Sequence, residues 1–249
     1  RRRKSAIKNR PQPYFPAAAV VQTSPCAYPL ANLRNARYNR KTEKAKKGEF
    51  SRMRMRKKKN LDVRFAACAD VMAFEPMERR GKWRALFGND NPLHLEIGCG
   101  KGRFAIGMAA QHPDVNFIAV EREEGALIMA AERCQQHPLP NLRFVSFDAA
   151  QLREVFAPGE VDRIYLNFSD PWPPNRQRKR RLTWRAYLEV YDEILDAHGG
   201  WLLQNISLDL HHSDFEGNVM TEYEEKFSSE GARIYRLEAR RRLPEFLRP

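Results

Sequence analysis

Leu95-Glu96-Ile97-Gly98-Cys99-Gly100-Lys101-Gly102 joins a short apolar run to a turn with glycine at every second position. An acid, Glu96, stands just before the first glycine. Glycines at this spacing let the backbone bend tightly and let a ligand approach without meeting a Cβ. The octet therefore predicts a buried strand over 92–97, a ligand-facing turn, and a helix over 103–111. Working outward, the pattern repeats. Strands are expected over 116–121, 142–147 and 161–167, with helices over 123–135 and 149–155 between them. A helix over 184–195, a strand over 201–210 entered through Gly199-Gly200, a helix over 221–229 and a last strand over 232–239 complete the chain. Strands alternating with helices of this length predict an α/β fold with a doubly wound, mostly parallel sheet.

Composition narrows the setting. With 249 residues and 42% hydrophobic content, the chain can bury a sizeable core. No apolar run approaches the roughly 20 residues that span a bilayer, so a cytoplasmic protein with no membrane partner is expected. Cys26, Cys68, Cys99 and Cys134 show no metal-ligand or redox spacing and read as incidental thiols of a reducing compartment. The net charge of +13 is unevenly placed. Residues 1–60 hold 19 Lys/Arg and two acids, whereas 61–249 hold 25 basic and 29 acidic residues, a balance of −4. Residues 1–52 alternate basic clusters with Pro/Ala/Tyr-rich stretches and sustain no period of 2 or 3.6, so a disordered basic extension is expected there. The chain does not begin with methionine, and Met53 and Met55 open a segment with the look of a natural start. The extension reads either as a cloning or gene-model addition or as a basic arm with non-specific affinity for phosphates. The domain proper is expected to be 53–249.

In an open α/β sheet a ligand sits beyond the carboxyl ends of the strands. Four acids fall at four successive such ends: Glu96, Glu121, Asp148 and Asp170. An acid after the second strand suits a ribose cis-diol, and one after the third can accept from an exocyclic amine. Those near the first and fourth can offset an ammonium or sulfonium. An acid ahead of Gly98 and Gly100 favours an S-adenosylmethionine loop over a dinucleotide loop, whose fingerprint wants glycine or alanine where Arg103 stands.

Asn167-Phe168-Ser169-Asp170-Pro171-Trp172-Pro173-Pro174 makes a stiff platform after the fourth strand, with Trp172 able to stack on a base or anchor the turn. Arg176, Gln177, Arg178, Lys179, Arg180 and Arg181 follow directly on the ligand-bearing rim of an otherwise slightly acidic domain, a pattern suited to phosphate-backbone contact. Thr221 and Glu224 satisfy a capping box. The helix start at Thr221, Glu222, Tyr223 and Glu224 can also grip the Watson–Crick edge of a base. His211 and His212 have no further ligand spacing, so no metal is expected.

These motifs together (LEIGCGKG, AVE, FDA, NFSDPWP, the KRR run and LDLHHSDFEGNVMTEYEEKF) resemble those of the bacterial tRNA (guanine-N7-)-methyltransferases, across roughly residues 53–238. The resemblance implies the Rossmann-like class I methyltransferase fold and S-adenosyl-L-methionine as cofactor, contacted by Glu96, Gly98, Gly100, Glu121, Asp148 and Asp170, with Asp170 also catalytic. It implies tRNA contact along 176–181, nucleoside binding by Thr221, Glu222, Tyr223 and Glu224, and guanosine 46 of the variable loop as target. A monomer or homodimer is expected. Two departures stand out. Pro174 takes the place of a lysine usual after Asp-Pro-Trp-Pro. Between Gln204 and Asn205 the sequence runs without the family's Lys-Thr-Asp-Asn segment, helix and strand start, including a substrate-binding aspartate; either the record omits them or the protein lacks them, and in the second case one fused strand must replace two. On sequence alone three other readings stay open: an impaired RNA- or cofactor-binding relic, a class I methyltransferase for protein or small molecules, and a nicotinamide dehydrogenase.

Overall fold

A computed structural model describes residues 18–23, 59–170, 172, 175–196 and 201–241. Seven strands form one sheet: β1 (Ala18–Thr23), β2 (Leu93–Ile97), β3 (Asn116–Val120), β4 (Leu142–Val145), β5 (Arg163–Asn167), β6 (Trp201–Ser207) and β7 (Tyr235–Arg241). Their order is β4-β3-β2-β5-β1-β7-β6. The first five in that order run parallel, and β7 and β6 are antiparallel to their neighbours. The doubly wound, mostly parallel sheet expected from the sequence is thus present.

Side chains of the central strands are buried on both faces, as a covered parallel sheet requires. Leu93, Leu95, Ile118, Val120, Ile164 and Leu166 point to one core, shared with α4 (Leu152–Val155) and α5 (Arg185–Ile194). Their neighbours Phe117, Ala119, Phe144 and Tyr165 point to the other, shared with α1 (Leu61–Ala67), α2 (Arg103–Gln111) and α3 (Glu124–Gln135). The last helix, α6 (Glu222–Ser229), precedes β7. Ahead of β2, the bridge Met72↔Phe144 continues the sheet edge beside β4. Nearby, Trp83 is fully buried and donates its indole N–H to Val155 O at 2.9 Å. Among the described residues no helix is long and apolar enough to cross a membrane.

Two features correct or complete the sequence reading. Residues 18–23, expected to be disordered, form β1 in the middle of the sheet; the remainder of residues 1–52 lies outside the described residues. The strand pairs parallel with β5 from Ala18↔Arg163 to Gln22↔Asn167, and antiparallel with β7 from Ala18↔Arg240 to Thr23↔Tyr235. Six residues are too few to display a period, and both partners lie far along the chain. The second feature is the fused strand. In a doubly wound sheet the strand after α5 is expected beside β5; here β6 lies at the far edge and β1 occupies that position. Between Gln204 and Ser207 the register breaks: Gln204↔Glu238 is followed by Ser207↔Arg236, one extra residue on β6. Asn205 takes a positive φ of 50° at this bulge, a conformation asparagine tolerates better than most residues.

Val20 is 4% exposed and packs in the core that holds Tyr165 and Phe104. Val20→Asp is expected to lower unfolding stability by about 3 kcal/mol, because it buries a carboxylate in that core. An unchanged urea midpoint would contradict the placement of β1.

Candidate active site

The glycine turn follows β2 directly. The Gly98 and Cys99 amides both donate to Val120 O, at 2.8 and 2.9 Å, which fastens the turn to the end of β3. Gly98 and Gly100 have φ of 83° and 56°, and a Cβ on either would meet nothing within 4 Å. Their backbone therefore borders open space that a ligand can enter. Gly102 serves packing instead, since a Cβ there would lie 2.7 Å from Ala130 Cβ.

Glu96 is buried at the end of β2, 3% exposed. Its Oε1 accepts from Asn167 Nδ2 at 3.0 Å, which ties β2 to the end of β5. Its Oε2 and Asn167 Oδ1 are buried without hydrogen-bond partners. Burial pushes the Glu96 carboxyl up to about 7; the Asn167 hydrogen bond opposes this, and the charges of Glu222 and Glu121 add to it. Glu121, after β3, accepts from the Gly100 amide at 3.0 Å through Oε2 and from the Glu123 amide at 2.9 Å through Oε1. Asp148, after β4, accepts from the Ala150 amide at 2.9 Å and lies 3.5 Å from Arg122 Nη1. Asp170 is exposed, three residues beyond β5. Strands β4, β3, β2 and β5 are consecutive in the sheet, so the four acids border one edge.

Beyond Asp170, Trp172 takes a positive φ of 40°. The Arg180 guanidinium lies 3.7 Å from the centre of the Trp172 ring, and Arg181 Nη2 donates to Trp172 O at 3.1 Å. Arg178 lies over Trp184 at 5.1 Å. Arg176, Arg178, Lys179 and Arg180 are exposed, while Gln177 and Arg181 are half-buried. The aromatic rings pre-set two of these cations, and Trp172 anchors a turn of the basic segment. Pro174 lies outside the described residues.

Thr221 caps α6: its Oγ1 accepts from the Glu224 amide at 2.9 Å, and Glu224 Oε2 accepts from the Thr221 amide at 3.4 Å. Glu224 is fully buried and also accepts from Asn218 Nδ2 at 2.7 Å, with His211 Nε2 3.0 Å away. Glu222 pairs with Arg133 at 2.8 Å. Of the four residues expected to bind the nucleoside, Thr221 and Glu224 thus build the helix start and Glu222 fastens it to α3. Tyr223 is 59% exposed and stacks with Phe168 and Phe227, at centroid distances of 6.5 and 6.3 Å. Phe168, at φ 49°, lies directly after β5, so this aromatic group joins the end of β5 to α6. Sequence reasoning missed the roles of Asn167, Phe168 and Phe227. A polar residue closing an apolar strand was the signal for Asn167; the aromatic contact is tertiary and left none. Among the described residues no three His, Cys, Asp or Glu side chains group as a metal site would.

The Glu96 geometry predicts a trade of stability for an available acceptor. Its folded pKa lies above the usual carboxylate value, so the folded state holds a proton that the unfolded state releases, and stability falls as pH rises toward about 7. Glu96→Gln removes this loss and can donate to Asn167 Oδ1. The variant is expected to gain about 2 kcal/mol more stability at pH 8 than at pH 5; an equal gain at both, read by urea unfolding, would contradict the burial.

A family described as putative methyltransferases matches residues 90–212. The tRNA (guanine-N(7)-)-methyltransferase of Bacillus licheniformis is 46% identical over 209 residues, 75% of this chain and 98% of that protein. The protein of the same name from Geobacillus thermodenitrificans is 47% identical over 211 residues, 76% of this chain and 98% of its own length. A match of 209 residues against 75% of a 249-residue chain means that the Bacillus relative carries residues with no counterpart here. Among solved structures, the 16S rRNA methyltransferase KamB superposes with a TM-score of 0.47 at 14% identity, over 66% of this chain and 94% of that one. On these relatives, matched over nearly their whole length, the chain belongs to the tRNA (guanine-N(7)-)-methyltransferase family.

Proposed function

We propose that this chain transfers a methyl group from S-adenosyl-L-methionine to N7 of guanine in tRNA, and that the target is guanosine 46 of the variable loop. The observation that carries this reading is the near full-length match to the named relatives on a chain whose glycine turn and Glu96 remain in place. A buried carboxylate oxygen without a partner, beside backbone open at Gly98 and Gly100, fits the cationic amino acid end of S-adenosylmethionine. Glu121, held to the turn by its Gly100 contact, has lone pairs left for ribose hydroxyls, and Asp148 is the acid expected near the adenine.

When bound, S-adenosylmethionine would supply an electrophilic methyl: the N7–carbon bond would form as the carbon–sulfur bond breaks, with the electron pair staying on sulfur as a neutral thioether and the positive charge passing to the guanine. N7 of neutral guanine already has a free lone pair, so no side chain need remove a proton first. The protein's contribution is alignment and charge. Asp170, at the mouth beyond β5, faces the role of stabilising the cation that develops on the guanine. Tyr223, stacked on Phe168 and still exposed, offers a flat face to a base, and the cap at Thr221 holds that face in position. Arg176, Gln177, Arg178, Lys179, Arg180 and Arg181 supply the basic contact to the tRNA backbone.

Incubation of the full chain with labelled S-adenosylmethionine and unmodified tRNA is expected to label guanosine 46 and to make the strand cleavable there after reduction, as N7-methylation does. Cofactor binding with no transfer would sink the proposal and favour the impaired relic. Lys179→Ala is expected to weaken tRNA binding several-fold and to reduce the slope of log affinity against log salt by about 0.9. An unchanged slope would remove Lys179 from the tRNA contact.

A further inference from the structure

The glycine in the middle of α2 is not explained by the cofactor site. Gly107 lies one turn beyond the glycine loop, where alanine would favour the helix. Its reason is on the facing loop. A Cβ at Gly107 would meet Val219 Cγ1 at 2.5 Å, Cγ2 at 3.4 Å and Cβ at 3.6 Å. Val219 therefore sits on α2 where only hydrogen leaves room. Its neighbour Asn218 donates to Glu224 at 2.7 Å, and Glu224 closes the cap with Thr221. Two ion pairs hold the same helix to the cofactor half, Arg103 with Glu225 and Arg133 with Glu222. Partly exposed pairs of this kind contribute little alone, so the steric seat is the stronger constraint on where α6 stands.

Resting on the function proposed above, we infer that Gly107 is a positioning residue for the nucleic-acid substrate: its missing side chain seats Val219 on α2 and so sets where Tyr223 stands against Phe168. Binding of the cofactor does not need this seat, since the glycine turn, Glu96 and Glu121 are fastened by their own contacts to β3 and β5. A groove of about 390 Å³ beside the contact, lined by Arg103, Gln111, Arg133 and Asn218 among others, gives the loop room to back away rather than unfold.

The test compares the full chain carrying Gly107→Ala, Val219→Ala, or both. Removing the two Cγ atoms of Val219 leaves only the 3.6 Å Cβ approach, an ordinary contact, so the pair is built to compensate. Gly107→Ala is expected to leave the melting temperature and the affinity for S-adenosylmethionine nearly unchanged, and to raise KM for tRNA about tenfold with a smaller effect on kcat. Amide exchange over residues 218–223 should speed up in the same variant. Adding Val219→Ala should return both KM and exchange toward the values of Val219→Ala alone. Unchanged KM and exchange in Gly107→Ala, or no recovery in the double variant, would overturn the inference. A parallel loss of melting temperature, cofactor affinity and tRNA KM would overturn it too, as damage to the fold. Failure of the unsubstituted chain to methylate tRNA would instead overturn the proposed function, while the exchange data would still report on the seat.

Discussion

The second edge of β5 has to be paired. In a buried parallel sheet each strand carries amides and carbonyls on both sides, and leaving one row without partners costs more than a marginal fold can offset. On one side β5 pairs with β2. On the other, the strand expected from the chain after α5 is not there, because β6 continues through a bulge to the far edge. Residues 18–23 supply the missing row, so β7 and β6 can stack outward from β1. The site depends on this arrangement. Asn167 and Phe168 stand at the end of β5, and their positions relative to Glu96 and Tyr223 hold only while β5 is fixed on both edges.

Within that frame Glu96 is placed at the expense of stability. A buried carboxylate with one unpartnered oxygen, raised to about 7, is a poor choice for a core and a good one for a cationic ligand. The start of α6 follows a different logic. Thr221, Glu224, Asn218 and His211 satisfy one another, and the result is a rigid helix start with one exposed aromatic face. Three of the four TEYE residues thus build or fasten the helix start, and Tyr223 carries the exposed ring, a division that the motif alone does not reveal.

The legible part of the fold was its local part. Alternating apolar strands, the glycine turn after β2 and the capping box at Thr221 are each written within a dozen residues, and their elements fall close to where the sequence places them. The acids were legible as residues at strand ends for the same reason; that the four ends lie side by side follows from the strand order. What could not be read depends on partners remote in sequence. β1 is six residues without a visible period, and its meaning comes from β5 and β7. The Phe168, Tyr223 and Phe227 stack and the Gly107 seat for Val219 exist only once α2, α6 and β5 are brought together. The fused strand was anticipated from its missing neighbours; that an upstream segment would fill the vacated position was not.

Amide hydrogen exchange on the full chain tests the account most directly. Because β1 is hydrogen-bonded on both edges, the amides of residues 18–23 are expected to be protected to about the same degree as those of β7, with protection lost together in a single cooperative opening. Exchange at 18–23 at the rate of a free peptide, with β5 and β7 still protected, would contradict it.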